Sequence, residues 1–223
     1  KPKNPDSTLA SMGIYIFTWE KLKKYLIEDE NNPESENDFG KNIITSMLAD
    51  QQKLYAYRFE GYWKDVGTID SLWEANLDLL NPQVDLDLTD SSWKIYAKNP
   101  VTCPHYVADT AKVQNSMIAE GCEIEGEVDF SVLFANVNVE EGAIVKDSII
   151  MPGSVIKSGA KVQYAIVAEN VTVEGGACVG KRPEDMANLE DWGVAVVGPK
   201  VTVGKGACVE PKAMIGEDVK GAE

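Results

Sequence analysis

From about residue 115 an aliphatic residue recurs in steps of six, six and five: Leu133, Val139, Val145; then Ile150, Ile156, Val162; then Val167, Val173, Val179. After an interruption from Arg182 to Val194 the series resumes in phase with Val197, Val203, Val209 and Ile215. Four residues after most of these stands a second small or aliphatic residue, as at Val137, Ala143, Ser154, Ala160, Val171, Ala177, Val201 and Ala207. Neither a helical stripe nor a plain alternation has this spacing. Two inward positions per six-residue segment predict a short flat strand that turns a corner, and three segments make one coil of about 17 residues. Coils stacked ~4.8 Å apart align equivalent side chains in ladders, which requires parallel strands. Gly142, Gly159, Gly176 and Gly206 recur at one corner, where a residue without Cβ takes a positive φ.

The first half reads as mixed helix and strand. Ser11–Phe17 is rich in β-branched and aromatic residues and predicts a strand; Thr18 then caps a helix carrying Trp19, Leu22, Tyr25 and Leu26. Asn31 to Asn37, with Pro33, predicts a loop, and Phe39, Ile43, Ile44 and Met47 restart a helical stripe with Asp38 at its start. Leu54–Phe59 alternates at period two, and Gly61–Thr68 continues as strand and turn. Thr68 caps a further helix carrying Leu72, Trp73, Ala75, Leu77 and Leu80, which Pro82 terminates. Residues 83–112 are acidic and aperiodic. The expected organisation is therefore an α/β domain over 1–82, a linker over 83–112 and an all-β solenoid over 113–223.

Charge narrows the partners. Thirty-six acidic against 21 basic residues leave a net charge of −15, a field that repels nucleic acid and anionic membranes. No apolar run reaches the ~20 residues that cross a bilayer, and the chain opens Lys-Pro-Lys-Asn-Pro, without an export signal and as if cut from something longer. A cytoplasmic protein is expected. Cys103, Cys122, Cys178 and Cys208 lack zinc-ligand spacing, so free thiols in a reducing compartment are expected.

Few residues offer chemistry. Acyltransferases built on such solenoids generally use a coil histidine as base, whereas the single histidine here, His105, precedes the clear coils. A spacer, assembly or effector platform is favoured for the solenoid. Lys181, Arg182, Lys200, Lys205 and Lys212 form either an anion patch or a solvated surface. In Gly61-Tyr-Trp-Lys-Asp-Val-Gly-Thr68, Asp65 between an apolar segment and a Gly turn is either a Mg²⁺ ligand or a solvated turn residue. Lys1 is a charge for a phosphate or merely a charged terminus. Ser11 and Tyr15, four apart on a strand, face one way and offer hydroxyls to a sugar, unless Tyr15 packs in the core.

The order of these strings is more specific than any one of them. Lys1-Pro2, Ala10-Ser-Met-Gly-Ile-Tyr-Ile-Phe17, Asp38-Phe-Gly-Lys41, Tyr62-Trp-Lys-Asp-Val-Gly-Thr-Ile-Asp70 with Trp73-Glu-Ala-Asn-Leu-Asp-Leu79, then the hexapeptide coils, resemble bacterial glucose-1-phosphate adenylyltransferase over nearly the whole chain. The resemblance implies part of a Rossmann-like nucleotidyltransferase domain followed by a left-handed parallel β-helix of hexapeptide repeats. It implies ATP and glucose 1-phosphate as substrates, ADP-glucose and diphosphate as products, Mg²⁺ as cofactor, and the first committed step of glycogen synthesis. Lys1 would hold the sugar phosphate; Ser11, Tyr15, Asp38, Phe39 and Trp63 would line the glucose pocket; Asp65 would bind the metal. Allosteric effectors and a homotetramer assembled through the β-helix are likewise implied.

The departure from the family's pattern is that its Gly-rich, Arg-bearing nucleotide loop occurs nowhere in the 223 residues, and the Glu that precedes the lysine matched by Lys1 is missing. Two readings follow: the carboxy-terminal portion of the enzyme, inactive alone, or a non-catalytic regulatory or scaffold subunit on the same plan. Lys1, Ser11, Asp38 and Asp65 occurring together favour the first.

Overall fold

The computed structural model describes residues 9–98 and 101–221, so Lys1 lies outside the described residues. The chain divides into two compact units, 1–60 and 61–223.

The first unit is helical where the apolar spacing is helical. α1 spans Trp19–Glu30 and buries Tyr25. A π-helical turn over Phe39–Ile43 runs into α2, Ile44–Ala49. Tyr25, Ile43 and Met47 form the core, with Phe17, Leu22, Leu26 and Leu54 packed around it. The Tyr25 hydroxyl donates to Asp50 at 2.8 Å, which satisfies the polar end of a buried ring. Thr18 sits at the N-cap of α1 without a side-chain hydrogen bond, so the expected cap is made by its carbonyl alone, which accepts from Lys21 and Leu22.

The strands expected over Ser11–Phe17, Leu54–Phe59 and Gly61–Thr68 do not form. Alternation makes a strand only where a neighbour completes the hydrogen-bond ladder. Among the described residues no ladder reaches these segments, and Ile14, Ile16, Tyr55 and Tyr57 stand exposed.

The second unit contains the repeat, in three six-stranded parallel sheets. One sheet stacks Tyr106–Val107, Glu123–Ile124, Asn138–Val139, Val155–Ile156, Thr172–Val173 and Thr202–Val203. The others stack the segments centred on Val113, Val128, Val145, Val162, Val179 and Val209, and on Ile118, Leu133, Ile150, Val167, Val197 and Ile215. The register is one coil per rung: Val139 pairs with Ile156, Ile156 with Val173, and Val173 with Val203 across the interruption. Every aliphatic of the ladders from Leu133 to Val209 is buried, as are the companions Val137, Ala143, Ser154, Ala160, Val171, Ala177, Val201 and Ala207.

The first coil begins at Tyr106, within the stretch read as a connection. Its Val107 and Val113 are exposed, whereas Ile124 and Val128 one coil on are fully buried. A terminal coil has a neighbour on one side only, which weakens the apolar signal that marks it in the sequence. Gly142, Gly159, Gly176 and Gly206 all take φ between 68° and 79° at one corner, as expected. The other corners place Asn136 and Asn170, or Phe130, Asp147 and Tyr164, in the same left-handed region.

Buried serines extend the ladders without leaving polar atoms unpaired. Ser148 Oγ donates to Lys146 O at 2.6 Å and accepts from Ala165 N at 3.2 Å. Ser131 and Ser154 do the same one coil down and beside it. Each polar group buried here would cost roughly 1–3 kcal/mol unpaired.

The thiols correct an expectation. Cys178 and Cys208 are directly paired rungs and form a disulfide across a Cα separation of 4.5 Å. They looked unrelated because one coil plus the 13-residue interruption separates them; the loop closes on itself through 3₁₀ turns at Pro183–Asp185 and Leu189–Asp191 and returns the chain in register. Cys103 and Cys122 are free, the latter buried with its thiol pushed up by desolvation.

α3, Ile69–Leu77, continues as a 3₁₀ turn over Asp78–Leu80 and packs on the coils, which places it in the second unit. Leu77 and Leu80 pack with Val132 and Phe130, while Ile69 and Leu72 pack with Ile149, Ile166 and Val194. Trp73 touches both clusters, donates its indole N–H to the Asp147 carbonyl at 2.8 Å and lies 5.7 Å from the Tyr164 ring. Tyr164 meets Trp192 of the interruption loop edge-on at 5.2 Å. Beneath this contact the Asp147 carboxyl is raised chiefly by desolvation, and further by Asp129 and Glu184, while Arg182 and Lys146 oppose the shift.

Two outcomes follow. Reducing the disulfide, or Cys208→Ser, is expected to lower the free energy of unfolding by about 3–4 kcal/mol for a loop of this length, measured by denaturant titration with and without dithiothreitol. A carboxyl with a raised native pKa binds its proton more tightly folded than unfolded, so stability falls as pH climbs from the ordinary 3.8 through the native value. Asp147→Asn, which tolerates the left-handed corner (φ 49°), should remove that decline and raise the melting temperature at pH 7; an unchanged pH profile would contradict the assignment.

Candidate functional site

In the first unit, Ser11 and Tyr15 meet through their hydroxyls at 2.9 Å. The contact arises from a bend and not from a shared strand face: Gly13 has φ 74°, and its N–H donates to Ser11 Oγ at 3.2 Å. Such a turn favours glycine, which takes a positive φ without the steric penalty of a Cβ. Tyr15 stacks on Phe39 with ring centroids 5.8 Å apart and planes at 18°, and Phe17 completes the aromatic trio. Tyr15 and Phe39 each remain more than a third exposed, so hydroxyl and ring faces are open to a ligand.

Asp38 is placed by the turn that follows it. Its Oδ1 accepts from Lys41 N at 2.7 Å as the N-cap, and its own N–H donates to Asn42 Oδ1. Lys41 pairs with Glu36, whose hydrogen bond raises the lysine above its ordinary range. Ser11, Tyr15, Asp38 and Phe39 thus share one small surface of the first unit. A cleft of about 120 Å³ nearby is lined by Phe17, Lys21, Met47, Lys53 and Leu54 among others, and none of the predicted site residues lines it.

The second unit holds Trp63 and Asp65. Along Tyr62–Asp65 burial alternates: Tyr62 and Lys64 are half-buried, Trp63 and Asp65 exposed. Tyr62 donates its hydroxyl to Asp78 at 2.8 Å, and Lys64 pairs with Glu74 at 2.9 Å and Asp78 at 3.2 Å. The Lys64 ammonium is raised above its ordinary range, first by the Glu74 hydrogen bond. Side chains two apart in such a segment face the same way, so the pair bound to α3 leaves the Trp63 ring and the Asp65 carboxylate turned to solvent. Asp65 Oδ1 accepts from Gly67 N at 3.0 Å, and Thr68 caps α3 by accepting from Ser71 N.

Sequence reasoning missed Tyr62, Lys64, Glu74 and Asp78. The signal was present: an i, i+2 pair flanking Trp63 just before Asp65, and two acids four apart on the next helix and its 3₁₀ continuation. Of the basic residues read as a patch or a solvated surface, Lys181 meets Glu210 at 4.0 Å, Arg182 meets Glu184 at 3.3 Å and Lys212 donates to the Glu190 carbonyl, so these three charges are answered locally.

Asp65 presents one exposed carboxylate, whose Oδ1 is engaged by Gly67 N; Mg²⁺ is usually bound through one or two carboxylates, with substrate phosphates and water supplying the rest. Among the described residues no group of three His, Cys, Asp or Glu side chains is gathered as an all-protein cage. No helix among them is long and apolar enough to cross a membrane.

Comparison with known proteins accords with this layout. Residues 1–82 match the family described as Nucleotidyl transferase, and residues 103–197 match the GlmU-like, C-terminal hexapeptide family, which supports the left-handed sense inferred for the coils. Glucose-1-phosphate adenylyltransferases of Bacillus cereus, Bacillus mycoides and Bacillus anthracis are each 53% identical over 191 residues, 86% of this chain and 50% of theirs. The chain therefore spans about half the length of the curated relatives it matches. With this identity running through most of the chain, and with a nucleotidyl transferase stretch preceding hexapeptide coils, the chain is similar over most of its length to about half of a glucose-1-phosphate adenylyltransferase.

Proposed function

We propose that this chain supplies the sugar-phosphate and metal-binding part of an enzyme that joins ATP and glucose 1-phosphate into ADP-glucose and diphosphate in the cytoplasm, for glycogen synthesis. The observation that carries the proposal is the 53% identity to named adenylyltransferases together with an exposed Asp65 held by its own turn beside Trp63. In this reading the phosphate oxygen of glucose 1-phosphate attacks the α-phosphorus of ATP and diphosphate leaves. No covalent enzyme intermediate is needed, so the protein's work is orientation and charge stabilisation.

Each residue then has a physical task. The hydroxyls of Ser11 and Tyr15 and the carboxylate of Asp38 hydrogen-bond sugar hydroxyls, and Phe39 and Trp63 offer apolar faces to the ring. Lys1, outside the described residues, places a positive charge at the sugar phosphate in a protein whose net charge is −15. Asp65 is the protein ligand for Mg²⁺, which when bound neutralises the phosphates and the departing diphosphate. The hexapeptide coils serve as the assembly platform of a homotetramer that responds to allosteric effectors, their flat sheet faces being suited to packing. No nucleic acid or membrane partner is involved.

The test is reconstitution. The chain is co-expressed with the nucleotide-binding remainder of the Bacillus cereus relative, and diphosphate release is followed with ATP and glucose 1-phosphate. ADP-glucose formation is expected only with both pieces. Asp65→Asn should lower kcat by about 100-fold or more, and Tyr15→Phe should raise the KM for glucose 1-phosphate with a smaller effect on kcat. Reconstituted turnover unaffected by Asp65→Asn, or no ADP-glucose from the assembled pieces, would refute the reading.

A further inference from the structure

Asp65 sits on a segment with little of its own to hold it. Gly61–Thr68 forms no strand, and α3, only nine residues long, is too short to be stable by itself in water. Both borrow their shape. α3 borrows it from the coils, through the apolar contacts of Ile69, Leu72, Leu77 and Leu80 and through Trp73, whose N–H bonds the Asp147 carbonyl. That carbonyl belongs to a left-handed corner fixed in the ladder, with Asp147 N donating to Asp129 O one coil below. The segment carrying Asp65 borrows its shape from α3 through two straps that share Asp78: the Tyr62 hydroxyl, and Lys64 reaching Glu74 as well. Lys64 and Asp78 are each about three-quarters covered, at 25% and 24% side-chain exposure, so their pairing is less screened than a surface ion pair.

We propose that Trp73 and Lys64 are positioning residues that transmit the rigidity of the coils to Asp65 and Trp63; this rests on the reading of Asp65 as the metal ligand. Trp73 fixes α3 to the solenoid. Lys64 and Tyr62 fix the following turn to α3, and the i, i+2 alternation aims Trp63 and Asp65 away from that attachment. The solenoid is then the foundation of the metal site. Displacement of a reacting group by about 1 Å can lower a rate by 100-fold, so a loosened strap should affect metal use without unfolding the coils.

Two measurements test this. In the 223-residue chain, ¹⁵N relaxation gives the order parameters of the Trp63, Asp65 and Gly67 amides, and hydrogen exchange of the Val145, Val162 and Val179 amides reports whether the coils stay intact. Trp73→Ala and Lys64→Met are expected to lower the turn order parameters from about 0.85 to below about 0.6 while leaving coil exchange unchanged, and Lys64→Arg should restore them. In the reconstituted enzyme the Mg²⁺ concentration for half-maximal rate should rise about tenfold in Trp73→Ala and Lys64→Met and return in Lys64→Arg. A merely structural role would lower the amount of folded enzyme without shifting the Mg²⁺ dependence. Unchanged order parameters, or an unchanged Mg²⁺ dependence, in Trp73→Ala and Lys64→Met overturns the inference. Full activity of Asp65→Asn is a separate failure, because it removes the reading of Asp65 and leaves the mechanical coupling to be judged by the order parameters alone.

Discussion

Everything in the second unit depends on the stacking of branched aliphatic side chains at one height per coil. Parallel strands in register put like residues over like, so Val139, Ile156, Val173 and Val203 touch in a continuous column. Each strand is only two or three residues long and would be unstable alone. The column makes the set cooperative: each rung buries its neighbours and aligns the next rung's backbone. The polar residues that enter the stack are serines with both hydrogen-bond roles filled, as at Ser131 and Ser148, because a buried polar group left unpaired is costly.

A stack of this kind is held by ladder hydrogen bonds and packing at each rung, which makes it suitable as a foundation. α3 uses it through an apolar face and a single indole hydrogen bond, and the segment bearing Trp63 and Asp65 is in turn fastened to α3. A short exposed carboxylate is thereby connected to a buried column by three successive kinds of interaction: dispersion in the core, a hydrogen bond at the corner, and a half-buried ion pair. The interruption loop joins the same arrangement, since Trp192 packs on Tyr164, which packs on Trp73.

The coils were legible because a ladder writes its period directly into the sequence. Each of the thirteen aliphatic positions from Leu133 to Ile215 lies on a rung. The disulfide was not legible, because the 13-residue loop hid the fact that Cys178 and Cys208 occupy the same place in successive coils; subtracting the interruption would have aligned them. The expected strands around Ile14, Ile16, Tyr55 and Tyr57 failed for a different reason. Alternation encodes two faces but not the hydrogen-bonding neighbour a strand requires, and none of the described residues supplies one. At the site, Asp65 stood out by its Gly turn, and Ser11 with Tyr15 by proximity, yet their meeting comes from the Gly13 bend, not from a strand face. Lys64 was overlooked because its role depends on Glu74 and Asp78, a turn and a helix further on.

The central claim is the in-register column, and methyl–methyl nuclear Overhauser contacts test it most directly. With Ile, Leu and Val methyls labelled, the account predicts an unbroken chain of contacts from Ile124 through Val139, Ile156 and Val173 to Val203, the last step crossing thirty residues of sequence in a single rung. Absence of the Val173–Val203 contact, or a set of contacts displaced by one residue along any strand, would contradict it.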